Sequence, residues 1–542
     1  MANPSTLPQL SEIHLNQLIG QIKELPYFDG NPSELSRYIA RVEYLLQLYP
    51  TQYVRQTHII YGAIERTIVD SAQRVIEEEK SNTWITTKAA LIKAFKDHRP
   101  YEDIIQHVRD TQYQGSIKLL FHIWQLTMTL LLILICNALR FVYGLNNGLA
   151  IVPPMGWMPF ERFRCMTDCA RFPKDCISES LIRRTADLLL SEGYAAAGYQ
   201  YLIIDDCWME ASRDEATHEL LPSLDRFPSG MMALGNHIHN IGLKFGIYHD
   251  VGEKTCMFRG PGAAGHFKLD AQTFAKWGVD YVKMDGCYAS EEDIDWGYPA
   301  FGAAMNQTGR HMVYSCSWPF YKSKPNYSLI AKHCNLWRFA VDIQDSFTSV
   351  TNIMSRYSSK QDILTAHSGP GRWNDPDMLV LGNFRLSYDA SRLQIAIWAV
   401  IAAPLIMTND LDTVRPEIKE LLQNPDVIAI DQDPLGQPGR LVLAVRNLQV
   451  WVRPVTPVSD FGKNSFAVAF VNQGGFGACP LCPQTFEVPL HRIGLQNRMG
   501  YYVIDLFNGT NILGLFKPKD SFITRVNPEG VNFYKFTVVP YY

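Results

Sequence analysis

Residues 201–206 read Tyr-Leu-Ile-Ile-Asp-Asp, and this stretch decides the fold. A run of strand length and largely apolar character ends directly in two carboxylates, and a segment of helical length follows. The pattern returns as Phe245-Gly-Ile-Tyr248 ending in His249-Asp250, as Tyr281-Val-Lys-Met284 ending in Asp285, and as Met312-Val-Tyr314 ending in Ser315-Cys316-Ser317. Further on, Leu336-Trp-Arg338 leads to Asp342, Trp373-Asn374 to Asp375 and Asp377, and Pro404-Leu-Ile-Met407 to Asn409-Asp410. Strands alternating with helices imply a parallel sheet. A first strand near Met155-Gly-Trp157 brings the series to about eight units, which predicts an α/β fold of the (β/α)8 barrel type.

The aspartates stand where strands end, and in such a barrel those ends converge on one face that carries the site. A single Asp after a strand is ordinarily a helix N-cap. A succession of them, several beside Trp, Tyr, Lys or Arg, is hard to explain as caps alone. Paired carboxylates in a cleft with aromatic walls point to glycoside hydrolysis. The chain has no His-Glu-x-x-His, no Walker loop and no Gly-x-Gly-x-x-Gly after a strand, so metalloprotease and nucleotide chemistry lack support.

Working outward, the segment after about Arg440 turns to period-two runs such as LVLAVRNLQVWV, SFAVAFVN, TFEVPL, YYVIDLF and VNFYKFTVV, with a turn at Asn527-Pro-Glu-Gly530. That pattern predicts an antiparallel β-sandwich. The whole chain of 542 residues has 47% hydrophobic and 19% charged residues, enough for several cores and against wholesale disorder. A formal charge of -4 excludes a strongly basic, nucleic-acid-coating protein.

The N-terminal side differs. Leu35, Tyr38, Val42, Leu45 and Leu46 recur at helical spacing, as do Ile60, Ile64 and Ile68, and Asn31-Pro32 suits a helix start. The apolar run LTMTLLLILICNAL from Leu126 to Leu139 follows Lys118 and His122 and precedes Val142-Tyr143-Gly144. A basic flank, an apolar stretch shorter than a bilayer span and small residues before a break describe a signal peptide cut after Gly144, although more than a hundred residues precede it. A buried core helix and an uncleaved anchor are the other readings. The expected organisation is a helical extension over 1–114, the apolar segment over 115–144, the barrel over 145–440 and the β-domain over 441–542. None of the 11 cysteines precedes Cys136, and the rest lie between Cys165 and Cys482, so the later part suits an oxidising compartment.

Two resemblances add to this. LPYFDGNPSELSRYIARVEYLL and TWITTKAALIKAF resemble the Gag capsid of gypsy-type retrotransposons over roughly residues 20–110, without a zinc knuckle behind them. From about residue 145 to 542, NGLAIVPPMGW, ERFRC, YQYLIIDDCW, FGIYHDVGEKTC, DAQTFAKWGVDYVKMDGCY, YSCSWP, WNDPDM and IDQDPLG resemble the lysosomal α-galactosidase and α-N-acetylgalactosaminidase family. That resemblance implies a retaining double displacement with Asp285 as nucleophile and Asp342, four residues after Arg338, as acid/base. Asp285 beside Lys283 would stay ionised, whereas Asp342 would have to hold a proton. Retention would place the two carboxyls roughly 5 to 5.5 Å apart.

The resemblance also implies that Asp205, Asp206, Lys283, Arg338 and Asp377 bind the sugar, with Trp157 and Tyr248 as aromatic wall. Asp375 is read as holding its loop. Around the Trp-Pro of 318–319, the galactosidases carry Glu and Leu and the N-acetylgalactosaminidases Ser and Ala. This chain has Ser317 and Phe320, an N-acetyl-type residue followed by a larger one. The implied disulfides are Cys165–Cys207, Cys169–Cys176, Cys256–Cys287, Cys316–Cys334 and Cys479–Cys482. Sequons stand at Asn306, Asn326 and Asn508. No metal or other cofactor is expected. The implied partners are terminal α-galactoside or α-N-acetylgalactosaminide glycans and a second copy of the chain, with no nucleic acid for the hydrolase part. The implied destination is the lysosome, or secretion. A predominantly galactose-specific enzyme, a Gag-derived scaffold with an unexported hydrolase part, and a lectin without catalysis are the alternatives.

Overall fold

In the computed structural model, eight short strands form one parallel sheet: β1 (Met155–Trp157), β2 (Tyr201–Ile204), β3 (Lys244–Asp250), β4 (Tyr281–Asp285), β5 (Val313–Cys316), β6 (Leu336–Arg338), β7 (Trp373–Asp375) and β8 (Leu405–Met407). Their order is β7-β6-β5-β4-β3-β2-β1-β8, so each strand lies beside its neighbour in sequence and β8 returns to β1. A bridge between Leu379, just past β7, and Met407 of β8 closes the ring. The structure describes residues 145, 147–459, 462–475, 482–509 and 511–540, with Leu18, Ile19, Ile22, Lys23, Tyr38, Ile39, Val42 and Ile64 of the N-terminal stretch.

Between and after the strands run α1 (Phe160–Phe163), α2 (Glu179–Ser191), α3 (Gly230–Asn240), α4 (Phe267–Lys276), α5 (Glu291–Gln307), α6 (Tyr327–His333), α7 (Phe347–His367), α8 (Tyr388–Val400), α9 (Pro416–Leu422) and α10 (Pro425–Asp431). Local chemistry fixes where they start. The Ser290 hydroxyl accepts the Asp293 N–H at 3.1 Å while the Asp293 carboxylate accepts the Ser290 N–H at 3.1 Å, a reciprocal cap on α5. Asn424 accepts from the N–H groups of Asp426 and Val427, and Pro425 supplies the fixed φ of a first helical position for α10. The barrel strands are short apolar runs because helices cover their outer face and side chains fill the inner one.

A second layer follows: β9 (Arg440–Val445), β10 (Leu448–Val458), β11 (Asn464–Asn472), β12 (Gln484–Pro489), β13 (Tyr501–Asp505), β14 (Ile512–Phe516), β15 (Ser521–Val526) and β16 (Gly530–Val538). Six of them form an antiparallel sheet in the order β14-β13-β16-β11-β10-β9, and β12 pairs with β15. The period of two sorts their side chains. Val450, Phe470 and Phe536 face β12 and β15, where they pack with Phe486 and Phe522. Trp451, Ala469, Val471 and Phe533 belong instead to the same core as the barrel. Helix α8 lies between, packed on β10, β11 and β16, and is therefore apolar and buried almost all round.

The described residues of the N-terminal stretch are helical, and Leu18, Ile22, Tyr38, Ile39, Val42 and Ile64 are buried. Tyr38 and Val42 thus fit the expected helical spacing; Ile64 is described without Ile60 and Ile68, which with Leu35, Leu45 and Leu46 lie outside the described residues. So does the apolar run over Leu126–Leu139 with its expected cleavage point. Among the described residues, no helix is long and apolar enough to cross a membrane.

Candidate active site

The carboxyl ends of β2 to β6 open onto one cavity of about 260 Å3, a volume just under that of pockets for drug-sized ligands, ~300 Å3 at the least. Asp205, Asp206, Tyr248, Lys283, Asp285, Ser317, Phe320, Arg338 and Asp342 line it, with Phe160, Cys256, Met257, Cys287 and Tyr321. Strand register does the gathering. Tyr248 pairs with Lys283 across β3 and β4 and Asp285 follows two residues on, so these three side chains reach the cavity together, while Asp250, paired with Asp285, stays behind it.

One wall is an ion pair. Lys283 Nζ donates to Asp205 Oδ2 at 2.6 Å and stands over the rings of Phe160 and Tyr248, each centroid 5.4 Å away. Burial alone would lower the Lys283 ammonium, but Asp205, Asp285 and Asp377 hold it above its ordinary value. Asp206 accepts the N–H of Cys207 at 2.5 Å and of Met257 at 3.0 Å. Burial outweighs these bonds and pushes its carboxyl up to about 6.

The opposite wall is organised by Arg338. Its Nη1 lies 3.1 Å from Asp377 Oδ1, and its Nη2 donates to Asp342 Oδ1 at 3.0 Å. The two carboxyls divide accordingly. Burial pushes Asp377 up to about 7, while in Asp342 the opposing pull of Arg338 and Lys283 overcomes burial and holds the carboxyl below the usual range. Asp342's side chain is 58% exposed, so water stabilises its charge as well. The pull of Arg338 and Lys283 on Asp342 runs against the proton that its expected acid/base role calls for.

Asp285 is oriented by a residue that sequence reading passed over. Tyr321 Oη donates to Asp285 Oδ1 at 2.7 Å. Behind them, Asp250 accepts the N–H of Gly252 at 2.7 Å and of Cys287 at 2.9 Å. Burial, then the neighbouring Asp285 charge, raises the Asp250 carboxyl well above its ordinary value. The loops after β3 and β4 meet so closely here that a Cβ on Gly252 would stand 1.9 Å from the Cys287 carbonyl oxygen, and the Cys256–Cys287 disulfide joins them. Asp250 with these two sulfurs forms the cluster of metal-ligand type, but the sulfurs are bonded to each other and offer no thiolate.

Two sequence expectations fall outside the cavity. Trp157 is fully buried, its indole N–H donating to the Asn409 carbonyl at 2.8 Å, and the aromatics beside Lys283 are Tyr248 and Phe160 in α1. As the last residue of β1, Trp157 lies within the packed wall, and the chain reaches the cavity only after the strand ends. Asp377 stands behind Arg338 and does not line the cavity. Asp375 accepts the Asp377 N–H at 2.8 Å, within its own loop.

The bridges Cys165–Cys207, Cys169–Cys176, Cys256–Cys287 and Cys316–Cys334 all form. Cys482 is also disulfide-bonded, and Cys479 lies outside the described residues. Asn306, Asn326 and Asn508 are exposed.

The family model described as alpha galactosidase A matches residues 152–433, and that of the alpha galactosidase C-terminal beta sandwich domain matches residues 445–536. Residues 13–96 match the retroviral Gag protein N-terminal domain. The α-N-acetylgalactosaminidase of Gallus gallus is 44% identical over 392 residues, 71% of this chain and 94% of the relative. Alpha-galactosidase A of Homo sapiens is 44% identical over 393 residues, 71% of this chain and 89% of the relative. Among solved structures, α-galactosidase I from Mortierella vinacea superposes with a TM-score of 0.63 at 29% identity, covering 72% of this chain and 98% of its own.

Proposed function

The chain belongs to the alpha-galactosidase A family of glycoside hydrolases, and we propose that it removes terminal α-linked N-acetylgalactosamine and galactose by a retaining double displacement. The observation that carries the reading is the joint lining of one small cavity by Asp285, Asp342, the Asp205–Lys283 pair and Arg338.

In this reading the Asp285 carboxylate attacks the anomeric carbon while Asp342 delivers a proton to the departing oxygen, leaving a glycosyl-aspartate. Asp342, now ionised, takes a proton from water, and the resulting nucleophile releases the sugar with its original configuration. Asp205, Asp206 and Lys283 hold the hydroxyls at the closed end, which makes the enzyme exo-acting. Sugar in the cavity displaces water from around Asp342 and so favours the protonated carboxyl that the first step needs.

Phe320 favours a second reading, in which galactose is the main substrate. Its ring lines the cavity where an N-acetyl group would need room, while Ser317 beside it is small. Hydrolysis of aryl α-N-acetylgalactosaminide and aryl α-galactoside at acidic pH, by the full chain and its Asp285→Ala variant, tests both. Turnover of either sugar that Asp285→Ala abolishes is expected. No turnover of either by folded protein would sink the proposal, and turnover of the galactoside alone selects the second reading.

A further inference from the structure

Directly after the lining residues Met257 and Cys287, the chain presents two aromatic rings beside the cavity. Phe258 and Tyr288 pack with ring centroids 4.3 Å apart and planes tilted by 46°, yet they are 65% and 44% exposed. Met257 and Phe320 extend the same surface at 42% and 38% exposure, and both also line the cavity. The pair is held in place from beneath. Phe258 follows the loop after β3 and Tyr288 the loop after β4, the Cys256–Cys287 disulfide ties the two loops, and Tyr288 Oη donates to the Cys256 carbonyl at 3.5 Å.

Both residues also sit in the left-handed region, Phe258 at φ 56° and Tyr288 at φ 52°. A bulky side chain is strained there, and such residues cluster at ligand clamps. Nothing in the fold gains from exposing them, since neither ring fills the core. Both facts fit a surface kept for a ligand.

We infer that Phe258 and Tyr288 form the subsite for the leaving group, and that its occupant is the apolar face of the saccharide ring to which the terminal sugar is attached. The inference rests on the exo-glycosidase reading, which says what passes the rim. A sugar seated at the closed end has its anomeric bond at Asp285, so whatever it was joined to must lie at the mouth. A pyranose ring offers a flat patch of C–H groups that matches an exposed aromatic pair in size and in partial apolarity.

The test compares kcat/KM for an α-galactosyl disaccharide with that for α-galactosyl fluoride, whose leaving group has no ring. In the full chain, Phe258→Ala and Tyr288→Ala should lower the disaccharide-to-fluoride ratio about fivefold to tenfold, the size of one aromatic contact, and Phe258→Trp should restore most of it. An unchanged ratio overturns the subsite, whether the two rates hold or fall together. A wild-type chain inactive on both substrates defeats the glycosidase reading itself and the subsite with it.

Discussion

The Tyr321 hydroxyl donates to Asp285 Oδ1 at 2.7 Å and does so at every working pH, because burial and the adjacent Asp285 charge raise the phenol far above its ordinary value. A carboxylate that is to attack along one line needs one oxygen anchored and the other free, and this bond provides the anchor. Tyr321→Phe should therefore lower kcat about tenfold with KM little changed, in keeping with a hydrogen bond to a charged group. A lower melting temperature with kcat unchanged would instead mark Tyr321 as packing alone.

Asp342 is predicted to matter in proportion to the leaving group's need for a proton. Asp342→Ala should slow hydrolysis of alkyl galactosides by about a thousandfold and of aryl galactosides with acidic phenols far less. Added azide should accelerate the variant and give an azide product of α configuration. Because Arg338 holds Asp342 below the usual carboxylate range, its protonated fraction grows as pH falls, so wild-type kcat/KM should rise toward acid and the variant should lose that limb. Products of β configuration would reverse the assignments of the two carboxylates.

Phe320→Ala should enlarge the cavity beside Ser317. The ratio of kcat/KM for the N-acetylgalactosaminide to that for the galactoside is expected to rise about tenfold to hundredfold, the range reached by steric discrimination in a pocket. If the ratio stays put, the substituent at the sugar's second position faces elsewhere.

Stability should fall as the solution becomes less acidic. Asp431, at the end of α10, is fully buried, and burial pushes its carboxyl up to about 8 despite Arg453 nearby. A raised carboxyl binds its proton more tightly folded than unfolded, so its contribution is complete below about pH 4 and is lost as pH rises through about 8. The melting temperature should decline between those limits, by an amount on the order of a few kcal/mol in stability, and Asp431→Asn should flatten the decline. A melting temperature that rises with pH in both proteins would contradict this.

The barrel was readable from sequence because its signal is strong at both ends of each unit. Buried parallel strands such as Tyr201–Ile204 are short apolar runs, and the polar residues that follow, like Asp205 and Asp206, stand out against them. Residues after the strand were harder to place, since a turn or a short helix decides where they point. Phe160 reaches the cavity from α1, and Trp157, more conspicuous in the sequence, is fully buried and does not line it. Tyr321 escaped notice because its role is a contact with β4, across a sequence distance that no spacing rule covers. Strands β14 and β15 were missed for another reason: Ile512, Leu513 and Ile523 are exposed, which hides the alternation that marks a half-buried strand.

The barrel and the β-domain share one core, and that ties the fate of the site to residues 441–542. Gly439 donates to the Val400 carbonyl at 2.7 Å, Arg453 Nη1 reaches the Ala399 carbonyl at 2.5 Å, and Asn424 donates to the Leu506 carbonyl at 3.0 Å. A message that stopped after codon 440 would retain Asp285, Asp342 and the cavity lining in its text, yet the product would present α8 bare to water. Such a truncated chain is expected to be cleared as misfolded rather than to act as a minimal enzyme, so solubility, not rate, is where lesions in residues 441–542 should first be felt.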